Sequence, residues 1–234
     1  MGNIIECRNL TKTYKDIRAL NGLNFSVPDE GCVIGLLGPN GSGKTTLIKL
    51  LTGLLTPTEG NVSVAGYPIG VETKSLVSYL SDTHALNDSF TVLDQVEFFV
   101  DFFSDFDYDK AMQMISELGV NPKQKIKTLS KGTKEKLSLI LTLSRKAKVF
   151  ILDEPIAGVD PAARDYILKT ILAHKSENST MIISTHLIAE IEDYFDYVLF
   201  LKQGNLVLQG RTQEIRDREG RTIDELFREV FRWN

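Results

Sequence analysis

The octet Gly38-Pro39-Asn40-Gly41-Ser42-Gly43-Lys44-Thr45 fits the pattern G-x-x-x-x-G-K-[ST], and its flanks narrow the folds open to the chain. Before it, Cys32-Val33-Ile34-Gly35-Leu36-Leu37 is an apolar run of strand length; after it, Thr46-Leu47-Ile48-Lys49-Leu50-Leu51 has helical spacing. A strand, a glycine loop and a helix in that order turn successive backbone N–H groups inward and set the positive end of the helix behind them. This arrangement holds phosphate oxygens. In such a loop Lys44 reaches the β and γ phosphates of a nucleotide and the Thr45 hydroxyl holds Mg2+. Gly38 to Thr45 and the adjoining Thr46 are therefore the expected nucleotide contacts; the alternative, a surface turn, accounts for neither flank.

A second apolar strand, Phe150-Ile151-Leu152, ends in Asp153-Glu154. Ligands of open α/β sheets sit at the carboxyl ends of the strands, so two acids at that point are candidates for chemistry. Asp153 suits Mg2+, directly or through water. Glu154 suits orienting and deprotonating an attacking water, because proteins that transfer phosphoryl groups mainly position reactants and stabilise charge. A solvated acid pair before Pro155 is the plain alternative, and the phosphate loop weighs against it.

The remaining text organises around these two features. Short strands are expected over residues 4–10, 23–27 and 61–66, and β character returns at 149–152 and 181–184 with a helix between from about 162 to 174. That pattern predicts an α/β fold with a parallel sheet and a small antiparallel one. Residues 197–208 read as a hairpin. Residues 87–148 turn helical and aromatic and form an expected inserted helical subdomain. There Phe98, Phe99, Phe102 and Phe103 make two i, i+4 pairs; with Phe106 they are too many for one narrow stripe, so one or two are expected to face outward. A helical extension closes the single domain over 211–234, with Ile223, Leu226, Phe227, Val230 and Phe231 on one face.

Composition excludes several classes. The 234 residues are 42% hydrophobic and 25% charged, which suits one or two buried cores. The 27 lysines and arginines against 31 acids give a net charge of −4, so no nucleic acid partner is expected. Cys7 and Cys32 form no C-x-x-C pair, and His84, His174 and His186 lack metal-ligand spacing. No run approaches the roughly 20 apolar residues that span a bilayer, so any membrane role is expected to come through a partner.

Taken together, the motifs resemble the ATP-binding cassette (ABC) family, over nearly the whole chain and in the family's order. Leu129-Ser130-Lys131-Gly132-Thr133 is similar to the family signature L-S-G-G-Q, Asp160 within Ala157-Gly158-Val159-Asp160-Pro161 resembles the D-loop, and His186 in Ser184-Thr185-His186 resembles the switch histidine that contacts the γ phosphate. Tyr14 stands where the family places an aromatic on adenine. The resemblance implies a P-loop core with a small antiparallel β-subdomain and an inserted helical subdomain. It implies ATP and Mg2+ as ligands, with Glu154, His186 and Lys44 as the catalytic groups. Ser130, Gly132 and Asp160 would act on ATP across a dimer of two cassettes, Ser130 also capping a helix that begins near Thr133. It further implies a separately encoded transmembrane permease, a second identical or similar ATPase subunit, and a cytoplasmic location on the inner face of the membrane. A groove beside the helical subdomain would receive a short helix of the permease. The expected function is ATP hydrolysis coupled to transport, with the L-S-K-G form similar to bacterial exporter subunits. A soluble ABC ATPase of DNA maintenance would need a long coiled-coil insertion, whereas Lys44 and Leu129 stand only 85 positions apart. A weakly hydrolysing nucleotide switch is the other alternative.

Two departures bear on mechanism. Lys131 adds a positive charge where the family has glycine. In Tyr79-Leu80-Ser81-Asp82 an acid stands where the family has glutamine, and a bare carboxylate about 6 Å from a phosphate oxygen costs about 3 kcal/mol at an effective dielectric near 20. Asp82 is therefore an expected Mg2+ ligand beside Thr45 and Asp153, the alternative being that it points into solvent. The expected outcome is a steeper Mg2+ dependence of ATP affinity in the wild type than in Asp82→Gln, measured by nucleotide titration with and without the metal. Identical dependence would remove Asp82 from the ligand set.

Overall fold

The computed structural model describes residues 2–81, 86–156, 159–176 and 178–232. Its N-terminal hairpin joins β1 (Asn3–Tyr14) to β2 (Ile17–Pro28), turning at Lys15 with a φ of 51°. Both strands outrun their alternating stretches, because backbone pairing continues to Tyr14 opposite Ile17 where the side-chain pattern has lapsed. There follow β3 (Val33–Leu37), α1 (Lys44–Leu51), β4 (Glu59–Val64), β5 (Tyr67–Pro68), α2 (Val71–Leu76) and β6 (Val77–Leu80). Helix α2 has too few turns to display a period and carries no signal in the sequence.

The helical stretch holds α3 (Val92–Phe102), α4 (Tyr108–Glu117) and α5 (Lys131–Leu143). Thr91 and Asp94 form a reciprocal capping box on α3, and Asp107 caps α4 through the Lys110 N–H. Then come β7 (Val149–Asp153), α6 (Pro161–Ala173), β8 (Thr180–Thr185), β9 (Tyr197–Lys202), β10 (Asn205–Arg211), α7 (Thr212–Glu219) and α8 (Ile223–Val230).

Two sheets result. One is antiparallel in the order β2-β1-β4-β5. The other runs β10-β9-β3-β8-β7-β6, parallel except for β10, which returns antiparallel along β9. Its central strands are buried on both faces, which explains their unbroken apolar runs. Alternate residues feed different cores. Ile34, Leu36, Ile151, Ile182 and Leu199 join α1 and the N-terminal hairpin on one side. Leu37, Phe150, Ile183, Val198 and Phe200 join α3 to α6 and α8 on the other. The tail packs on its own domain as its spacing predicts: Phe227 and Phe231 lie 4.4 Å apart, centroid to centroid, against Phe200.

Gly35, in the middle of β3, faces the Phe195 ring so closely that a Cβ there would stand 2.7 Å from two ring carbons. Phe195 is buried in the core and has nowhere to retreat. Gly35→Ala is expected to cost about 1–3 kcal/mol, read by thermal denaturation as a fall of about 2–4 °C per kcal/mol. An unchanged midpoint would contradict this packing.

Candidate active site

Parallel register brings the sequence motifs to one edge of the sheet. Strand β8 lies between β3 and β7, with Leu37 beside Thr185 and Asp153 beside Ser184. The glycine loop leaves β3, the acid pair leaves β7 and His186 leaves β8, all at carboxyl ends.

The loop's shape depends on two glycines. Gly43 has a φ of 109°, and a Cβ there would stand 2.8 Å from the Ala19 carbonyl oxygen. At Gly38 a Cβ would stand 2.4 Å from the Leu201 carbonyl oxygen. The β9–β10 turn braces the loop from behind, with the Gly204 N–H donating to the Ser42 carbonyl at 2.9 Å and the Asn21 N–H to the Gly204 carbonyl at 2.8 Å.

A cleft of about 440 Å³ opens over this loop, lined by Asn40 to Thr46, Ala19, Asp153 and Glu154. Lys44 is 6% exposed and donates from Nζ to the carbonyls of Gly38 at 2.6 Å and Pro39 at 3.3 Å. Burial pushes its ammonium below the ordinary lysine range, with Glu154 and then Asp153 pulling the other way. A polyanion entering the cleft would offset that desolvation.

Asp153 is buried. Its Oδ1 accepts the Ser184 hydroxyl, while Oδ2 has no hydrogen-bond partner among the described residues. An orphaned buried carboxylate oxygen in a cleft that Thr45 also lines suits a hard cation. Among the described residues no three His, Cys, Asp or Glu side chains cluster, so such a cation would take its remaining ligands from phosphate and water.

Glu154 departs from ordinary backbone, with a φ of 50°. A non-glycine residue held there stores about 1–3 kcal/mol, a cost met by its surroundings. Its N–H donates to both the carbonyl and the hydroxyl of Ser184 at 3.1 Å, and its Oε2 lies 3.0 Å from His186 Nδ1. The strained turn thus carries a carboxylate out of the buried strand and beside an imidazole that is itself half-exposed.

Tyr14, Ser130, Gly132 and Asp160 are not among the residues that line the cleft. Tyr14 ends β1, 41% exposed, with Lys12 Nζ 5.4 Å from its ring centroid; Ala19, which no motif in the sequence marks, lines the cleft instead. Ser130 caps α5 as expected, accepting the Thr133 N–H at 3.2 Å, and the helix begins at Lys131, two residues before the expected start near Thr133. A Cβ on Gly132 would meet nothing within 4 Å, leaving that surface open to approach from outside the chain. Asp160 caps α6, with Oδ1 accepting the Ala162 N–H at 2.9 Å. Asp82 lies outside the described residues, as do Ala157 and Gly158; Leu80 is paired with Leu152, one residue before Asp153. Ser184, which the sequence marks only as the residue opening Ser184-Thr185-His186, is the side chain that bonds both acids, and no role of its own was expected for it.

Comparison with known proteins agrees with this geometry. The ABC transporter family model matches residues 20–157. The linearmycin resistance ATP-binding protein LnrL of Bacillus subtilis is 30% identical, the match covering 93% of this chain and 72% of that protein. The Nod factor export ATP-binding protein I of Burkholderia orbicola is 32% identical, covering 92% and 73%. Among solved structures, an ATP-binding subunit of an ABC transporter superposes with a TM-score of 0.86 at 27% identity, covering 97% of this chain and 99% of that one. A cassette fold, a phosphate loop facing an acid pair and a histidine, a family model over more than half of the chain, and relatives matched over more than nine-tenths of it lead to one conclusion: the chain belongs to the ABC transporter family, as an ATP-binding and ATP-hydrolysing subunit.

Proposed function

We propose that this subunit drives export through a separately encoded membrane permease, by closing and reopening a dimer of two cassettes around Mg-ATP. The observation that carries the catalytic half of this reading is the Glu154–His186 pair, 3.0 Å apart beside the phosphate-loop cleft. Outward transport is favoured by relatives named for Nod factor export and linearmycin resistance.

In this reading backbone N–H groups from Asn40 to Thr46 and the Lys44 ammonium bind the phosphates, with Gly38 and Pro39 shaping the start of the loop. Thr45 and Asp153 would hold Mg2+, with Asp82 as a further candidate ligand. When bound, the ion neutralises charge on the β and γ phosphates. Glu154 accepts the proton of the attacking water and His186 hydrogen-bonds the γ phosphate as negative charge redistributes. Tyr14 would stack on adenine. Ser130 and Gly132, at the open start of α5, would face the nucleotide of the second cassette, with Asp160 at the same junction. Residues 87–148 would form the subdomain that meets the permease, and the assembly would sit on the cytoplasmic face of the membrane. No helix among the described residues is long and apolar enough to cross a bilayer, so the subunit would be held there by its partner.

Affinity capture of the tagged chain from detergent-solubilised native membranes, with Mg-ATP present throughout, tests the reading. The expected result is a co-purifying polytopic protein whose presence raises phosphate release by the chain. Recovery of soluble partners only, in repeated captures, would contradict the transporter assignment and favour a soluble ATPase.

A further inference from the structure

Helix α8 is tied at one end to the segment that leaves His186 and at the other to the turn behind the phosphate loop. At its start the Ile223 and Asp224 N–H groups donate to one carboxylate oxygen of Glu192, at 2.6 and 3.1 Å. Glu192 stands in the chain that follows His186, just past the short helical turn Ile188–Glu190, and its side chain is 12% exposed. The Leu187 N–H donates to the Thr185 hydroxyl at 3.0 Å, and Ile188 and Ile191 are buried in one core with Ile223 and Leu226, so the stretch from His186 to Glu192 is held firmly. At the end of α8 the Lys202 ammonium donates to the Val230 carbonyl at 2.6 Å and lies 5.7 Å from the Phe231 ring centroid. A carboxylate at the helix start and a cation at its end each meet backbone groups that a helix leaves unpaired.

The far end reaches the nucleotide site by three routes. Lys202 closes β9, and the turn that follows it, Gln203-Gly204, is the one whose Gly204 N–H holds the Ser42 carbonyl. Phe227 and Phe231 press on Phe200, which is paired in register with Leu37, the residue that leads into Gly38. Phe231 and Arg232 also line a cavity of about 320 Å³ that Pro39, Asn40 and Gly41 line as well. The phosphate loop leaves β3 and His186 leaves β8, so α8 spans from the segment carrying one to the support of the other. Eight residues are too few for a helix to hold its shape unaided, and its two tied ends with the buried Ile223 and Leu226 set where it lies.

We propose that α8 is a strut that sets the distance between His186 and a γ phosphate held on the loop, with Glu192 and Lys202 as its positioning residues. This rests on the reading of His186 as the group that hydrogen-bonds the γ phosphate, and adds what holds that group in place. The phosphates are gripped by the loop's own N–H groups and by Lys44, and the Gly204 bond to Ser42 keeps that arrangement when α8 loosens. Loosening therefore leaves nucleotide affinity intact and shows in turnover, where a misplacement of about 1 Å costs up to about a hundredfold.

The test measures phosphate release by the purified chain at saturating Mg-ATP and, separately, its Mg-ATP affinity. Lys202→Met and Glu192→Ala should each slow turnover about three- to tenfold, with affinity within about twofold of the wild type, which shows that the site remains folded. Lys202→Arg still offers a donor to the Val230 carbonyl, and Glu192→Gln keeps an acceptor oxygen for the helix start, so both should hold turnover within about twofold of the wild type. Lys202→Met combined with Glu192→Ala should lose no more than the slower single variant, because either change frees the same strut. Losses that multiply would overturn the inference, since two separate local defects behave that way. So would unchanged turnover in either truncated variant, affinity falling in step with turnover, or conservative variants as slow as the truncated ones. His186→Ala, measured alongside, separates the two readings. Wild-type turnover in it would remove His186 from the reaction and the strut with it, whereas a loss there beside full turnover in Lys202→Met and Glu192→Ala would overturn the strut alone.

Discussion

Ser184 donates its hydroxyl to Asp153 and receives the N–H of Glu154 on both its own oxygens, and on these bonds the alignment of the acid pair with the phosphate loop depends. Strand β8 is the middle of the β3-β8-β7 triplet, so whatever fixes β7 against β8 also fixes the acids relative to Lys44 and His186. The same contacts hold Glu154 in left-handed backbone that its side chain would otherwise avoid. Reactivity and strain are localised together: the buried strand delivers Asp153 into low dielectric, and the next residue turns out to meet His186 at the surface.

The phosphate loop depends equally on neighbours remote in sequence. Ala19 stands over Gly43, the Gly204 turn donates to Ser42, and Leu201 leaves no room for a side chain at Gly38. The loop is therefore preorganised by both sheets, with the N-terminal hairpin on one side and β9–β10 on the other. Because the parallel sheet divides two separate cores, its strands are rigid from both faces, and the side chains at its carboxyl edge inherit that rigidity. The helical segment from 87 to 148 enters the second core through Phe99, Leu137 and Leu141 while leaving Phe98 and Phe102 outside it.

Much of this was legible in the sequence where local chemistry is distinctive. The loop from Gly38 to Thr45, the Asp153-Glu154 strand end and the α8 stripe each show a residue type and a period that point to one structure. The outward phenylalanines follow from the same kind of reading, since α3 has more aromatic rings than an inward stripe can bury. Elements fixed by pairing or by distant contacts were not legible. The hairpin extends to Tyr14 because backbone bonds carry it there, and α2 is too short to have a period; the Ser130 cap of α5 was legible, and only the helix's first residue, Lys131 instead of about Thr133, differs. Ser184 and Ala19 reach the site through register and through the approach of two sheets; Ala19 lies in no motif, and Ser184 was marked only as the start of Ser184-Thr185-His186.

The central claim is that the acid pair clamped by Ser184 hydrolyses ATP held on the phosphate loop. Phosphate release by the purified chain with Mg-ATP, measured for the wild type, Glu154→Gln and Ser184→Ala beside their ATP affinities, tests it most directly. The account predicts that Glu154→Gln loses about a hundredfold or more in turnover while ATP affinity holds, and that Ser184→Ala loses about tenfold through misplacement of the same carboxylate. Turnover within about twofold of the wild type in Glu154→Gln would contradict it, because the proton of the attacking water would then have another acceptor.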